Sequence, residues 1–337
     1  MNQACVRASA LVDWRSMLLK SNGRFAMCRR FIDEIDGLLA DHPQKIDLAV
    51  FVDLVERVGR TSGDSSLAWS IGQSTRYSLE GDFGKAILGC KTLGSALHYL
   101  SYYFPLMQDA SFLKLEVSDG WARLSYKILN PGIWPRHEDA MYSLGIYARL
   151  IKTVAPDAWS YAQVTLETEA GRIRPELSAF VQAEILYGGT ANSIRFPASA
   201  LDARLNLAPD CGTEVLNRLS RELTQKTRST PLSERTRRMI YAEMDDGGVS
   251  QERIARALGV SSRTLRRRLS SEGLSFQALL DECRMQFAAL EFRTRRRLSL
   301  SDMALKLGYS EHSTFSRAFS RWAGMAPREY RRTLSAH

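Results

Sequence analysis

The stretch Ile254-Ala-Arg-Ala-Leu258-Gly259-Val260-Ser261-Ser262-Arg263-Thr264-Leu265-Arg266-Arg267-Arg268-Leu269 decides how this chain is read, because it occurs twice. About 49–50 residues later comes Met303-Ala-Leu-Lys-Leu307-Gly308-Tyr309-Ser310, then Glu-His312-Ser313-Thr314-Phe315-Ser316-Arg317-Ala-Phe319, with one residue inserted after Ser310. Each copy has a short helix ending at an apolar residue, Leu258 or Leu307. A glycine follows that can take the positive φ of a sharp helix end. Val260 or Tyr309 then plugs the corner, and a serine caps the next helix. That is the layout of a helix-turn-helix. Two copies are too few for a stacked repeat array, so they read as a pair of small units.

The second helix of each unit carries the chemistry. In the first, Leu265 and Leu269 lie four apart and face inward. Ser262, Arg263, Arg266, Arg267 and Ser270 fall on another face of the helix. In the second, Phe315 and Phe319 turn inward, leaving His312, Ser313, Ser316 and Arg317 on the outward face. A major groove about 12 Å wide admits one such helix and exposes base edges to these side chains. Between the units, Phe276 to Arg296 reads as one long helix with Leu279, Leu280, Cys283, Phe287 and Leu290 on its apolar stripe. Twenty residues span about 30 Å, close to the roughly 34 Å between successive major grooves on one side of a duplex.

Charge points the same way. The 337-residue chain has a net charge of +9. From Lys226 onward there are 22 Lys+Arg against 12 Asp+Glu, and 20 of the 22 are arginine, so the whole excess lies in the last third. Arginine suits bidentate phosphate and guanine contacts. A basic module joined to a neutral one is the footprint of polyanion binding.

The composition limits what else the chain does. No uncharged apolar run approaches the ~18–20 residues needed to span a bilayer, and the N-terminus has no secretory pattern. The five cysteines, Cys5, Cys28, Cys90, Cys211 and Cys283, are scattered, show no metal-ligand spacing and suit a reducing cytoplasm. No phosphate-cradling glycine loop or nucleophile elbow occurs. His98 and His137 have no visible acid–base partner. The sequence therefore predicts no enzyme, no cofactor and no metal.

The expected organisation is an α+β domain over residues 1–223, a linker over 224–231 ending in Pro231, and an all-α domain over 232–337 with two helix-turn-helix units joined by a long helix. Ser233 is expected to cap a helix over Glu234–Met244 that stops at Asp245-Asp246-Gly247-Gly248. In the first domain, helices are expected at Arg24–Ala40, Leu48–Arg60, Leu93–Phe104, Ala140–Val154 and Pro175–Leu186. The alternating stretches Phe112–Val117 and Trp121–Tyr126 flank Asp119-Gly120 and read as a hairpin. Further strands are expected at Gln163–Glu167 and Ser193–Phe196.

The last hundred residues resemble the DNA-binding domain of the AraC/XylS family of bacterial regulators. The second unit, with Trp322, Gly324, Pro327 and Tyr330 behind it, carries the likeness most closely. By position, the resemblance implies that Arg263, Arg266 and Arg267 read one major groove, and that His312, Ser313, Ser316 and Arg317 read the next. Trp322, where many members have another aromatic, is expected to pack inside. The dense run Arg266–Arg268 implies that some of these side chains hold phosphate, which positions a protein without specifying sequence.

Residues Gly81-Asp-Phe-Gly84, Leu88 and Thr92-Leu-Gly94-x-Ala96-Leu97-x-Tyr99-Leu100-x-Tyr102 resemble the effector-binding domain of the branch containing ornithine-utilisation-type regulators. That resemblance implies a dimeric small-molecule sensor that acts on double-stranded DNA and recruits RNA polymerase. Its ligand is expected among the aromatics of this domain, with Phe83, Tyr103, Trp134, His137, Glu138 and Tyr142 as candidates. Glu138 or Asp139 would pair with a cationic group. The competing readings are an architectural DNA binder without an effector and a repair alkyltransferase, whose zinc-bound cysteine cluster has no counterpart here.

Overall fold

A computed structural model describes residues 4–20, 28–168, 176–207, 212–244, 249–294 and 299–335. They divide into two compact units that meet in the chain at Lys226 and Thr227.

The first unit is α+β. Strands β1 (Cys5–Arg7) and β2 (Lys45–Asp47) pair antiparallel around helices α1 (Ser9–Lys20) and α2 (Arg30–Asp41). The expected start of α2 at Arg24 falls partly outside the described residues. Helix α3 (Leu48–Ser62) starts where the Asp47 carboxylate accepts the Val50 amide at 2.9 Å, and stops at Gly63, whose φ is 64°. It buries Leu48, Phe51, Val52, Val55 and Val58, one helical face. Helices α4 (Leu67–Ser74), α5 (Gly81–Leu88) and α6 (Leu93–Tyr103) follow, α6 opened by a capping box between Thr92 and Ser95.

Strands β3 (Ser111–Ser118) and β4 (Trp121–Ile128) form the hairpin that Asp119-Gly120 announces. Both turn residues have positive φ, 52° and 79°, as a two-residue turn matched to strand twist requires. After α7 (His137–Val154) and α8 (Pro156–Trp159) come β5 (Gln163–Leu166), α9 (Glu176–Val181), β6 (Glu184–Tyr187) and β7 (Asn192–Pro197). The sheet order is β3-β4-β7-β5-β6, with only β5 and β6 parallel.

Two expectations fail in this unit. The helix expected to reach Leu186 ends at Val181, and Glu184–Tyr187 is a strand. Gln182 turns the chain at φ 58°, and pairing with β5 overrides the local helical character of Ala-Glu-Ile-Leu. The expected linker is helical to Ser229, as the end of α10 (Gly212–Ser229). Its polar residues are an amphipathic surface: Arg218 bonds Asp82 (2.7 Å), Ser220 meets the Tyr103 hydroxyl (3.0 Å) and Lys226 pairs with Asp109 (2.8 Å).

Helices α4 and α7 cross where each carries a glycine. A Cβ on Gly145 would lie 2.6 Å from the Trp69 carbonyl oxygen and 3.2 Å from Gly72 Cα. A Cβ on Gly72 would overlap the Tyr142 carbonyl. Both obstacles are backbone, which cannot rotate aside. Gly145→Val is therefore expected to destabilise the protein by at least the ~1–3 kcal/mol typical of overpacking. A urea titration should show its midpoint lowered at unchanged slope.

The second unit is all helical: α11 (Leu232–Glu243), α12 (Gln251–Ala257), α13 (Ser262–Ser271), α14 (Phe276–Thr294), α15 (Leu300–Lys306), α16 (His312–Ala323) and α17 (Pro327–Ser335). Ser233 is not the cap of α11. It lies inside the helix, and its amide and that of Leu232 both donate to the Glu272 carboxylate at 3.1 Å. The expected stop, Asp245-Asp246-Gly247-Gly248, lies outside the described residues; the helix itself ends at Glu243. The long connector α14 has 19 residues, about 28 Å. Its Leu279, Leu280, Cys283, Phe287 and Leu290 are buried, as the stripe requires. Residues 295 and 296 of the expected helix are outside the described set.

Candidate nucleic-acid interface and a cavity in the first unit

In the first helix-turn-helix unit, Ser250 caps α12 through the Arg253 amide and Ser261 caps α13 through the Thr264 amide, at 3.2 and 3.1 Å. Between them Gly259 takes φ 68°. Leu265 and Leu269 of α13 are wholly buried, each worth about 1.5–3 kcal/mol. This fixes the roll of the helix, so Arg263, Arg266, Arg267 and Arg268 all stand exposed. Ser270 is exposed beside them and Ser262 is half-buried.

In the second unit Ser299 caps α15 through the Asp302 amide at 3.0 Å, and Gly308 takes φ 77°. The residue inserted after Ser310 makes Glu311, not a serine, the N-cap of α16, and no side chain caps this helix. Phe315 and Phe319 are buried and pack against Phe292 of α14, with ring centroids 6.4 and 5.4 Å from it. His312 and Arg317 are exposed, and Ser313 and Ser316 half-buried. Trp322 packs as expected, but from the surface rather than inside. It stacks edge-on against Phe319 at 5.6 Å yet stays 44% exposed, because it lies one turn beyond the buried stripe.

The arginines of this unit sort into two kinds. Arg237 pairs with Glu234 and Glu282, Arg238 with Glu234, and Arg253 with Glu243. Arg284 pairs with Asp281 and lies over the Tyr309 ring at 4.9 Å. Arg237 links α11 to α14, Arg253 links α12 to α11 and Arg284 reaches Tyr309, while Arg238 pairs within α11. Arg263, Arg266, Arg267 and Arg268 have no ion pair among the described residues, and Arg317 touches only Thr314, at 3.5 Å. Sequence alone did not separate the two kinds, since the acidic partners are up to 45 residues away.

The first unit has a partly open cavity of about 80 Å³. Phe83 and Tyr142 line it, with Tyr77, Glu80, Phe104 and Tyr147. The other four ligand candidates are elsewhere. Tyr103 is bonded to Ser220 of α10. Trp134 is half-buried, with the Arg136 guanidinium 5.8 Å from its ring centroid, and His137 Nδ1 lies 3.4 Å from the Thr168 hydroxyl. The Glu138 carboxyl is packed against Gly59, and its amide donates to Glu56 at 2.6 Å. Burial, with Glu56 and Asp64 nearby, pushes the Glu138 pKa up to about 8.

Asp139 accepts from the Tyr126 hydroxyl at 2.6 Å, and its burial raises its pKa to about 6. Arg136 forms a two-pronged ion pair with Glu167, at 3.1 and 2.9 Å, and donates to the Ile128 carbonyl at 2.7 Å. The charged run after Trp134 is thus built into the core rather than gathered at the cavity. Tyr77 and Glu80 were not among the candidates; the turn at Tyr77–Leu79 puts both on the cavity wall.

Among the described residues no helix is long and apolar enough to cross a membrane, and no cluster of His, Cys, Asp or Glu suits a metal. Cys28, Cys90 and Cys283 are buried and Cys5 partly so; Cys211 lies outside the described residues.

Comparison with known proteins agrees with this division. Residues 254–333 match a helix-turn-helix domain family, and residues 32–205 match the arabinose-binding domain of AraC transcription regulators. The chain is 30% identical over 292 residues to an HTH-type transcriptional regulator of Mycobacterium tuberculosis, covering 82% of this chain and 81% of that one. It is 27% identical to the ornithine utilization regulator of Pseudomonas aeruginosa, over 80% and 79% of the two chains. It is 30% identical to the regulator VirS of Mycobacterium tuberculosis, over 71% of each. With both its helix-turn-helix units and its N-terminal domain matched, the chain belongs to the AraC family of DNA-binding transcription regulators, which join such a domain to an effector-binding one.

Proposed function

We propose that this protein is a cytoplasmic, homodimeric activator that binds promoter DNA selectively in response to a small organic effector, such as an amine, an amino acid or another catabolic metabolite, and recruits RNA polymerase without catalysing a reaction. The observation that carries the DNA half of this reading is the arginine face of α13. Arg263, Arg266, Arg267 and Arg268 stand together on one helix, exposed and in no ion pair among the described residues, while Arg237, Arg238, Arg253 and Arg284 are paired. Ser262, Arg263, Arg266 and Arg267 would meet one major groove, and His312, Ser313, Ser316 and Arg317 the next. The likeness to an ornithine utilization regulator supports a nitrogenous effector.

Helix α10 offers the route from effector to DNA. Its Glu222 pairs with Arg7 on the cavity wall, its Arg218 with Asp82 beside Phe83, and its Lys226 with Asp109 and the Pro105 carbonyl. It then runs to Ser229, two residues short of α11. A ligand that moves the wall moves this helix. Such coupling requires the ligand to bind one state better than the other, typically by about 1–3 kcal/mol.

The test is an anisotropy titration of the whole protein against DNA upstream of its own and neighbouring genes, with and without metabolites of the adjacent operon, at two salt concentrations. Selective binding that shifts with one metabolite is the expected result. Selective binding indifferent to all of them would favour an architectural protein, and binding without sequence preference would remove the groove-reading assignment. In the same assay Arg317→Ala should cost on the order of 1–3 kcal/mol and relax the preference at one base position. A uniform loss on all sequences would mean that Arg317 holds phosphate.

A further inference from the structure

The walls of the cavity in the first unit restrict what it accepts. Five aromatic rings, those of Tyr77, Phe83, Phe104, Tyr142 and Tyr147, face it. The Tyr142 hydroxyl is committed, donating to Asp13 Oδ2 at 2.9 Å, an atom that also accepts from Thr75 at 2.6 Å. The Tyr77 hydroxyl is not. Tyr77 is 8% exposed, and its hydroxyl is buried with no hydrogen-bond partner among the described residues. An unpaired buried hydroxyl is unfavourable, so a ligand atom that pairs with it gains affinity over one that does not.

Glu80 stands on the same turn, its amide donating to the Tyr77 carbonyl at 3.0 Å. The turn is held close to α5 because Gly84 has no Cβ to strike that carbonyl. Glu80 Oε2 accepts from the Ser9 hydroxyl at 3.0 Å. Burial raises the Glu80 pKa and Asp13 adds to the rise, while Ser9 and Arg7 oppose it. Arg7 is the other charged side chain on the wall, and its guanidinium is already engaged. Its Nε donates to the Leu106 carbonyl at 3.2 Å and its Nη2 lies 3.5 Å from Glu222.

We propose that this cavity binds a small organic ammonium ion, its head held by the Glu80 carboxylate and the Tyr77 hydroxyl and its apolar body enclosed by the rings. This rests on the reading of the first unit as an effector-binding domain and names the ligand class and its anchors. Aromatic rings attract a cation, and an ammonium adds a charged partner to the half-buried Glu80 carboxylate, which accepts from the Ser9 hydroxyl. A carboxylate-headed ligand meets Glu80 instead of a free guanidinium. Since about 10–15 Å³ accommodates one water, a cavity of about 80 Å³ suits a body of roughly six to eight non-hydrogen atoms.

The experiment is calorimetric titration of the full-length protein with cyclohexylamine, benzylamine, cyclohexanol and benzoate, repeated on Glu80→Gln and Tyr77→Phe. Both amines should bind at least tenfold tighter than the alcohol or the acid. Glu80→Gln should erase that preference, and Tyr77→Phe should weaken amine binding severalfold. If Glu80→Gln fails to fold, the comparison of amine with alcohol on the unaltered protein decides. Equal or tighter binding of cyclohexanol or benzoate overturns the ammonium assignment and leaves the effector reading standing. If none of the four binds but a metabolite still shifts DNA binding, the cavity assignment alone falls. If nothing binds and DNA binding answers to no metabolite, both readings fall.

Discussion

Alanine at Arg263, Arg266 and Arg267 together is expected to abolish selective operator binding while changing stability by no more than about 0.5 kcal/mol. The three side chains are exposed and have no ion pair among the described residues, so their removal leaves no buried charge behind. Each base or phosphate contact is worth on the order of 1–3 kcal/mol. Together they should amount to about 3–9 kcal/mol, at least about a hundredfold in Kd. Anisotropy at two salt concentrations separates the two roles. Arginines on phosphate lower affinity equally for random DNA and reduce the salt slope by about 0.9 per contact. Arginines on bases leave random DNA nearly untouched. Unchanged affinity for the operator would remove α13 from the interface.

The second large effect belongs to Arg136, which lies in sequence between the ligand candidates Trp134 and His137 and which the fold places in the core. Its side chain is 2% exposed, and its partner Glu167 is 7% exposed. Glu167 also accepts from Asn192 at 3.0 Å and stands 4.0 Å from the Lys127 ammonium. Arg136→Ala removes one partner from a buried pair, which costs about 3–5 kcal/mol because the remaining charge has no solvent. A urea titration should show a loss of that size, enough to unfold a protein of ordinary stability. Glu167→Leu should cost a similar amount, and Arg136→Met with Glu167→Leu less than the sum of the two. Additive losses would mean that the two side chains do not act as a pair.

These results trace what the residues disclosed by themselves. Local chemistry was legible wherever a few neighbouring residues settle the backbone. Asp119-Gly120 gave the hairpin, and Gly259 and Gly308 gave the two turns before α13 and α16. The inward pairs Leu265/Leu269 and Phe315/Phe319 gave the roll of both helices. What stayed hidden depends on partners far along the chain. Strand β6 exists because β5 lies beside it, and the same residues would suit a helix. Thr224–Ser229 has the composition of a linker, and only the acids and carbonyls opposite α10 make it a docked helix. The α11 cap, Glu272, lies 40 residues from the amide it receives. The candidates Trp134, His137, Glu138 and Asp139 stand in one run because their chemistry is adjacent in sequence. The partners of that run, Glu167, Tyr126 and Glu56, draw it inward. Of the six ligand candidates, only Phe83 and Tyr142 share a cavity wall.

The crossing of α4 and α7 bears on how this lineage diverges. Gly72 and Gly145 are 73 positions apart, yet a Cβ on either would strike the backbone of the helix that carries the other. Neither can drift alone. A relative that tolerates alanine or serine at one must have moved the opposing helix, and would then admit a larger residue at the other. The two positions should therefore behave as a single heritable trait, small together or enlarged together, and their covariation among relatives would mark which branches keep this helix spacing.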